Sequence, residues 1–172
     1  QFSAAIPGTK FNESELRVDF SVNNSRIQII GGENSAAIRG QYFDGIVCDE
    51  TQNLSPDLFD TILRPALSDR HGFAIFIGTP MGRNWFFDLH EKAKHTEGWF
   101  TKVFKASDTN IIDQEELKAA KETMSAESYA QEFECSFQAG ISGSYFGKIM
   151  EELEQKGNIK SFDIDEDLEV ET

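Results

Sequence analysis

Two adjacent carboxylates, Asp49 and Glu50, are the residues of this chain whose types and spacing point most directly to chemistry. The apolar run Ile46-Val47-Cys48 ends on them, and Thr51-Gln52-Asn53 follow. A run this short and β-branched predicts a strand buried on both faces, as in a parallel sheet. Ligands of α/β sheets lie beyond the carboxyl ends of the strands, where these acids fall. If the ligand is a nucleoside triphosphate, Asp49 would help hold Mg²⁺ and Glu50 would orient or deprotonate the attacking water. The plainer reading is a strand followed by a solvated turn.

Such acids need a sheet to hold them, and the flanking segments predict one. Residues 73–77 (Phe-Ala-Ile-Phe-Ile) form a second unbroken apolar run, which breaks at Gly78-Thr79-Pro80-Met81-Gly82-Arg83. A helix is expected after each run. Leu54-Ser55-Pro56-Asp57 has the form of a helix start, with Ser55 as N-cap, Pro56 at the first helical position and Asp57 on the positive helix end. Pro65 is expected to end or kink that helix. The second helix runs over 84–94 with Trp85, Phe86 and Leu89 inward. A repeated strand–loop–helix unit is the mark of a parallel sheet, whose loops would line one crevice.

Upstream, residues 16–22 alternate apolar and polar, Asn23-Asn24-Ser25 read as a turn, and residues 26–30 form a second strand, together a hairpin. Residues 1–12 are weakly patterned, with a turn at Pro7-Gly8. Residues 33–40 predict a connection with one helical turn capped by Asn34 or Ser35, ending in Arg39-Gly40. Downstream, residues 99–106 alternate like an edge strand, and residues 113–123 and 125–137 predict two helices, the second with Tyr129, Phe133 and Phe137 on one face. Ile141-Ser142-Gly143-Ser144 reads as a flexible linker. A short amphipathic helix is expected over 146–155, then an acidic loop over 162–167.

Composition bounds the function. The 172 residues carry a formal net charge of -14, against the basic footprint of a nucleic-acid clamp. Half of that charge lies in residues 151–172, which hold nine acids and two lysines. Cys48 and Cys135 form no CxxC and no Cys/His cluster, so a zinc site is not indicated and reduced, buried thiols are expected. His71, His90 and His95 share no metal-like spacing. No apolar run approaches the roughly 18 residues of a membrane span, and there is no signal peptide. Without an initiating methionine, and with a strand-like end at Val170, the sequence reads as a fragment cut at both ends.

Taken together, Arg39-Gly40, the strand ending in Asp49-Glu50, the strand ending in Ile77-Gly78-Thr79-Pro80, the helix Glu127-Ser128-Tyr129-Ala130-Gln131-Glu132-Phe133 and the later Gly143-Ser144-Tyr145-Phe146 resemble a phage terminase large subunit in order and spacing. The likeness covers nearly the whole chain from about Val18. This family is the ATP-driven motor that packages viral DNA into an empty capsid and cuts it. No one motif is specific; the ordered set is. The resemblance implies an α/β fold: a partial P-loop (ASCE-type) ATPase core with parallel strands over 1–107, a helical subdomain over 108–138, a linker over 139–145 and the opening of an RNase H-like nuclease domain over 146–172.

The same resemblance implies roles. The Asp49-Glu50 strand would be Walker B, with Asp49 on Mg²⁺ and Glu50 as the catalytic carboxylate. Thr79 would lie in the coupling motif, sensing the γ-phosphate of ATP; the plainer reading is a turn after a strand end. Arg39 would reach the neighbouring subunit's ATP site, as an arginine finger that contributes ~10³–10⁵ in rate; the plainer reading is an arginine paired with a nearby carboxylate. Arg83 reads as a solvating turn residue rather than a contact to phosphate or DNA, and Trp85, Phe86 and Phe87 as core rather than a base-stacking platform. Expected partners are double-stranded DNA, a portal, a small terminase subunit and further copies in a ring, with no membrane. The expected place is the host cytoplasm, docked on the procapsid.

The chain contains no G-x-x-x-x-G-K-[ST] loop to cradle phosphates, and Gly31-Gly32 lacks the lysine. In the family that loop precedes Walker B by about half a domain, so this chain alone is expected to be inactive as an ATPase. Asp163, Asp165, Glu166 and Asp167 read as a solvated loop, with the nuclease acids further on. Two other readings compete: a helicase-like ATPase, whose second ATPase-like domain is not visible here, and a non-catalytic acidic α/β module that binds proteins.

Overall fold

A computed structural model describes residues 6–138, 149–150, 152–153 and 156–158. The chain divides into two compact units, Gln1–Gly78 and Thr79–Thr172.

The first unit opens with an antiparallel sheet of three short strands, β1 (Thr9–Asn12), β2 (Arg17–Phe20) and β3 (Ser25–Gln28), in the order β1-β2-β3. The expected hairpin is β2–β3, with Val18 opposite Ile27 and Asp19 opposite Arg26. Strand β1 lies in the segment read as weakly patterned; only four residues long, it alternates too briefly to stand out. Asp19 accepts from Arg26 Nε at 2.8 Å and from Arg17 Nε at 3.0 Å. The Arg26 hydrogen bond holds its carboxyl below the usual range.

After a one-turn helix, α1 (Ser35–Ile38), comes the parallel pair β4 (Gly45–Cys48) and β5 (Phe73–Phe76). Gly45 faces Phe73 in the register, and a Cβ at Gly45 would fall 2.4 Å from the Phe73 ring, so any larger residue would have to displace that ring. Most of the connection is helical and unbroken from Pro56 to Ser68: α2 (Pro56–Leu58), a π-helical stretch (Phe59–Leu63) and α3 (Arg64–Ser68). Ile38, Cys48, Leu58, Ile62 and Leu63 form the core, flanked by Phe43, Ile46, Leu54 and Phe76. Phe59 packs edge-on to Phe76, with ring centres 4.9 Å apart.

One local expectation is corrected here, and two are made more specific. First, among the described residues of this unit the parallel strands are covered on one face only. Cys48 is buried, while Val47, Phe73, Ile75 and Ile77 keep 45–59% of their surface exposed. Among the described residues of this unit the helices pack on a single side of the pair. Second, of the two outcomes expected at Pro65, the helix is distorted rather than ended. Proline has no N–H for the carbonyl four residues back and crowds it. The chain absorbs this with the π-helical stretch, where Arg64 N–H reaches the Phe59 carbonyl, and α3 then continues. Third, Ser55 has N-cap backbone geometry but its side chain makes no capping bond.

The second unit is mainly helical. Helix α4 (Trp85–Ala93) starts at Asn84, whose side chain accepts from the N–H groups of Phe86 at 3.1 Å and Phe87 at 3.4 Å. A short α5 (Ala106–Thr109) precedes the two expected helices, α6 (Gln114–Thr123) and α7 (Ala126–Glu132), whose N-caps are Asp113 and Ser125.

Residues 99–105 do not form the expected strand. Their alternation finds no partner strand among the described residues; instead, Ala106 N–H donates to Phe133 O at 2.7 Å and the Cys135 thiol to Phe104 O at 3.4 Å. Helix α7 also stops at Glu132, short of 137. Tyr129 and Phe133 stack at 5.0 Å as their spacing predicts. Phe137 packs elsewhere, against Phe86, Phe87 and His90 of α4. The linker at 139–145 and the acidic loop at 162–167 lie outside the described residues, as does most of the segment expected at 146–155.

Candidate functional site

The site begins with the backbone at the end of β4. Strand pairing continues one step beyond the last paired residues: Ile77 N–H donates to Cys48 O at 2.9 Å, and Thr51 N–H donates to Ile77 O at 2.9 Å. Between these bonds the chain turns sharply, and Glu50 takes the left-handed conformation, φ 50° and ψ 43°. That conformation is uncommon for a residue with a side chain and costs about 1–2 kcal/mol. A strained residue at a strand end is held by what surrounds it. Here the clamp is Thr51, which is fully buried, its hydroxyl donating to Cys48 O at 2.9 Å. The tight helical turn Thr51–Asn53 follows, with Asn53 N–H on Glu50 O at 2.9 Å.

This framework leaves the two acids exposed side by side. Asp49 Oδ1 accepts the Glu50 N–H at 3.0 Å. Glu50 Oε2 accepts from Gln52 Nε2 at 2.7 Å and lies at 3.5 Å from Asn53 Nδ2. Gln52 is buried, so it is a fixed group reaching out to a solvent-facing carboxylate. Thr51 and Gln52 were not singled out in the sequence as functional. A Thr-Gln pair directly after two acids was visible, but which of these side chains turns inward depends on the left-handed turn.

The expected site residues fall in different places. Asp49 and Glu50 are brought together. Arg39 follows the buried Ile38 of α1, is exposed, and precedes Gly40 with its positive φ of 78°. It makes no ion pair among the described residues, whereas Arg17, Arg26 and Arg70 each face a carboxylate. Thr79, half-buried, opens the second unit two residues after Ile77. Arg83 stands over the Phe87 ring at 5.6 Å.

Metal-binding capacity is modest. Among the described residues no group of three or more His, Cys, Asp or Glu side chains could hold a metal ion. Mg²⁺ needs no such group, since it is commonly bound by one or two carboxylates, with water and substrate phosphates completing its shell. Asp49 supplies one such exposed carboxylate. No helix among the described residues is long and apolar enough to cross a membrane.

Comparison with known proteins agrees with the resemblance read from the sequence. No protein-family model matches the chain. It is 27% identical over 119 residues to the terminase large subunit of Escherichia phage T5, a match covering 67% of this chain and 27% of that protein. It is 35% identical over 52 residues to the terminase large subunits of Thermus phage G20c and Thermus virus P23-45, covering 30% of this chain and 11% of each. The chain thus matches only about a quarter or less of these relatives' length. Two structures of the Thermus phage P74-26 large terminase ATPase domain, one a point mutant, superpose with TM-scores of 0.58 and 0.56 at 18% identity. The mutant match covers 78% of this chain and 66% of that domain, the other 75% and 62%. The fold is therefore α/β, that of part of a large terminase ATPase core.

Proposed function

We propose that this chain carries the water-activating half of the ATPase site of a phage DNA-packaging motor. The observation that carries the reading is the turn at Glu50: a strained, exposed carboxylate anchored at the carboxyl end of a parallel strand, directly after Asp49. Its likeness to terminase large subunits makes the chemistry specific. Glu50 orients the attacking water and accepts its proton. Asp49 holds Mg²⁺, directly or through water. The ion, when bound with ATP, neutralises charge that develops on the phosphates. Thr79 links the state of the γ-phosphate to motion of the segment after β5, and Arg39 is presented to the ATP site of a neighbouring subunit.

In the complete protein the phosphate cradle comes from residues outside this chain. Double-stranded DNA is the translocated substrate, further copies form a ring, and a portal and a small terminase subunit are the docking partners, in the host cytoplasm on the procapsid. DNA cleavage belongs to a nuclease domain that residues 146–172 lead into. This chain alone does not turn over ATP. The test is ATP hydrolysis by the full-length gene product and by its Glu50→Gln variant. The variant is expected to lose at least about a hundredfold in kcat; turnover near the wild-type rate would remove Glu50 from the mechanism.

A helicase-like ATPase shares the paired acids and the small-residue loop after the next strand. The named relatives favour the packaging reading. A non-catalytic protein-binding module predicts no change in any activity when Asp49 and Glu50 become Asn and Gln.

A further inference from the structure

We propose that Gln52 is the positioning residue for Glu50: its amide holds one carboxylate oxygen and so fixes the rotamer in which the other oxygen meets the attacking water. This rests on the reading of Glu50 as the water-activating group. Three observations carry it. Gln52 Nε2 lies 2.7 Å from Glu50 Oε2, a short and well-formed contact. Gln52 is buried and Glu50 exposed, so the amide is the fixed partner and the carboxylate the one being held. Thr51, between them, is fully buried and bonded at both its hydroxyl and its N–H, which locks the offset of the two side chains.

The donor's chemistry suits the task. A neutral amide restrains the carboxylate without placing a charge beside it. Glu50 Oε1 has no hydrogen bond among the described residues and stays available to water. The Asn53 contact, to the same oxygen, is at the distance limit and secondary. An exposed glutamate otherwise samples several rotamers, few of which serve an in-line attack.

Steady-state ATP hydrolysis by the full-length gene product tests this with Gln52→Met, Glu50→Gln and the double variant. Gln52→Met is expected to lower kcat roughly tenfold with KM for ATP unchanged, because only alignment in the transition state is lost. In the Glu50→Gln background the same change is expected to have no further effect. Wild-type kcat in Gln52→Met, with Glu50→Gln inactive, would overturn the positioning role and leave the Glu50 reading intact. Full turnover by Glu50→Gln would overturn the reading beneath it. Equal losses in both backgrounds would mark Gln52 as merely structural and also overturn the proposal. Should Gln52→Met not fold, Gln52→Leu carries the same expectation: it removes the amide donor without adding a charge beside Glu50.

Discussion

Thr51 donates its backbone N–H to the carbonyl of Ile77 at 2.9 Å, joining the turn after one parallel strand to the end of the other. The partner bond, Ile77 N–H to Cys48 O, has the same length. The turn that displays Asp49 and Glu50 is therefore no free loop. It is stitched to the strand whose next residues are Gly78 and Thr79. Any shift of the β5 end relative to β4 must stretch this bond or carry the turn with it.

Replacing Thr51 with Val tests the second anchor of that turn. The two side chains are close in shape, so the change removes mainly the hydroxyl bond to Cys48 O, in a fully buried setting. Thr51→Val is expected to destabilise the chain by about 1–2 kcal/mol, read from the urea midpoint at an unchanged m-value. A loss below about 0.3 kcal/mol would show that the backbone bonds hold the turn unaided.

Glu50 predicts a separation of stability from activity. Glycine adopts a positive φ freely, whereas alanine retains the strain of φ 50°. Glu50→Gly is expected to be about 1 kcal/mol more stable than Glu50→Ala, while neither supports turnover in the full-length protein. Denaturant melts of the two variants decide it; if alanine equals glycine, the turn carries no backbone strain.

The sequence made much of this legible, and its failures have physical causes. The parallel pair, the β2–β3 hairpin and the helices α6 and α7 follow from periodicity and side-chain chemistry that act within a few residues. Asp49 and Glu50 stood out because acids ending an apolar strand are unusual. Gln52 did not, because its role depends on a left-handed turn that no residue type announces: glutamate is a poor choice for φ 50°. The edge strand expected at 99–106 failed for another reason, since alternation gives a face but not a partner. Pro65 left two outcomes open, and a π-helical turn that absorbs a proline decides between them.

The two cysteines should react at different rates. Burial pushes the Cys48 thiol up to about 11, and it lies in the core beside Leu58 and Ile62. Cys135 is also raised, chiefly by burial and then by Glu134, but is only half-buried. The thiolate is the reactive form. At pH 8 an alkylating reagent is expected to label Cys135 first, and Cys48 at least roughly tenfold more slowly until denaturant is added. Mass spectrometry of the labelled peptides reads the order, and faster labelling of Cys48 would contradict its place in the core.

His90 gives the second unit a pH dependence of predictable sign. Its ring stacks on Phe137 at 5.4 Å, and Nδ1 lies 2.7 Å from the Thr101 hydroxyl. Burial lowers its affinity for a proton, Lys94 adds to the effect, and Glu91 partly opposes it. The folded histidine thus titrates below the unfolded value of about 6.5. Between those two values the unfolded chain binds more protons, so stability rises with pH. The contribution is fully present above about pH 6.5 and is lost as the pH falls toward the folded value. His90→Phe retains an aromatic ring against Phe137 but cannot titrate. Its urea midpoint, subtracted from that of the wild type at each pH, is expected to stay level from pH 8 to about 6.5. Below that the difference should turn steadily against the wild type. A difference that stays flat to pH 5 would mean that His90 is as easily protonated in the fold as in the open chain, and that its contact with Phe137 does not exclude water.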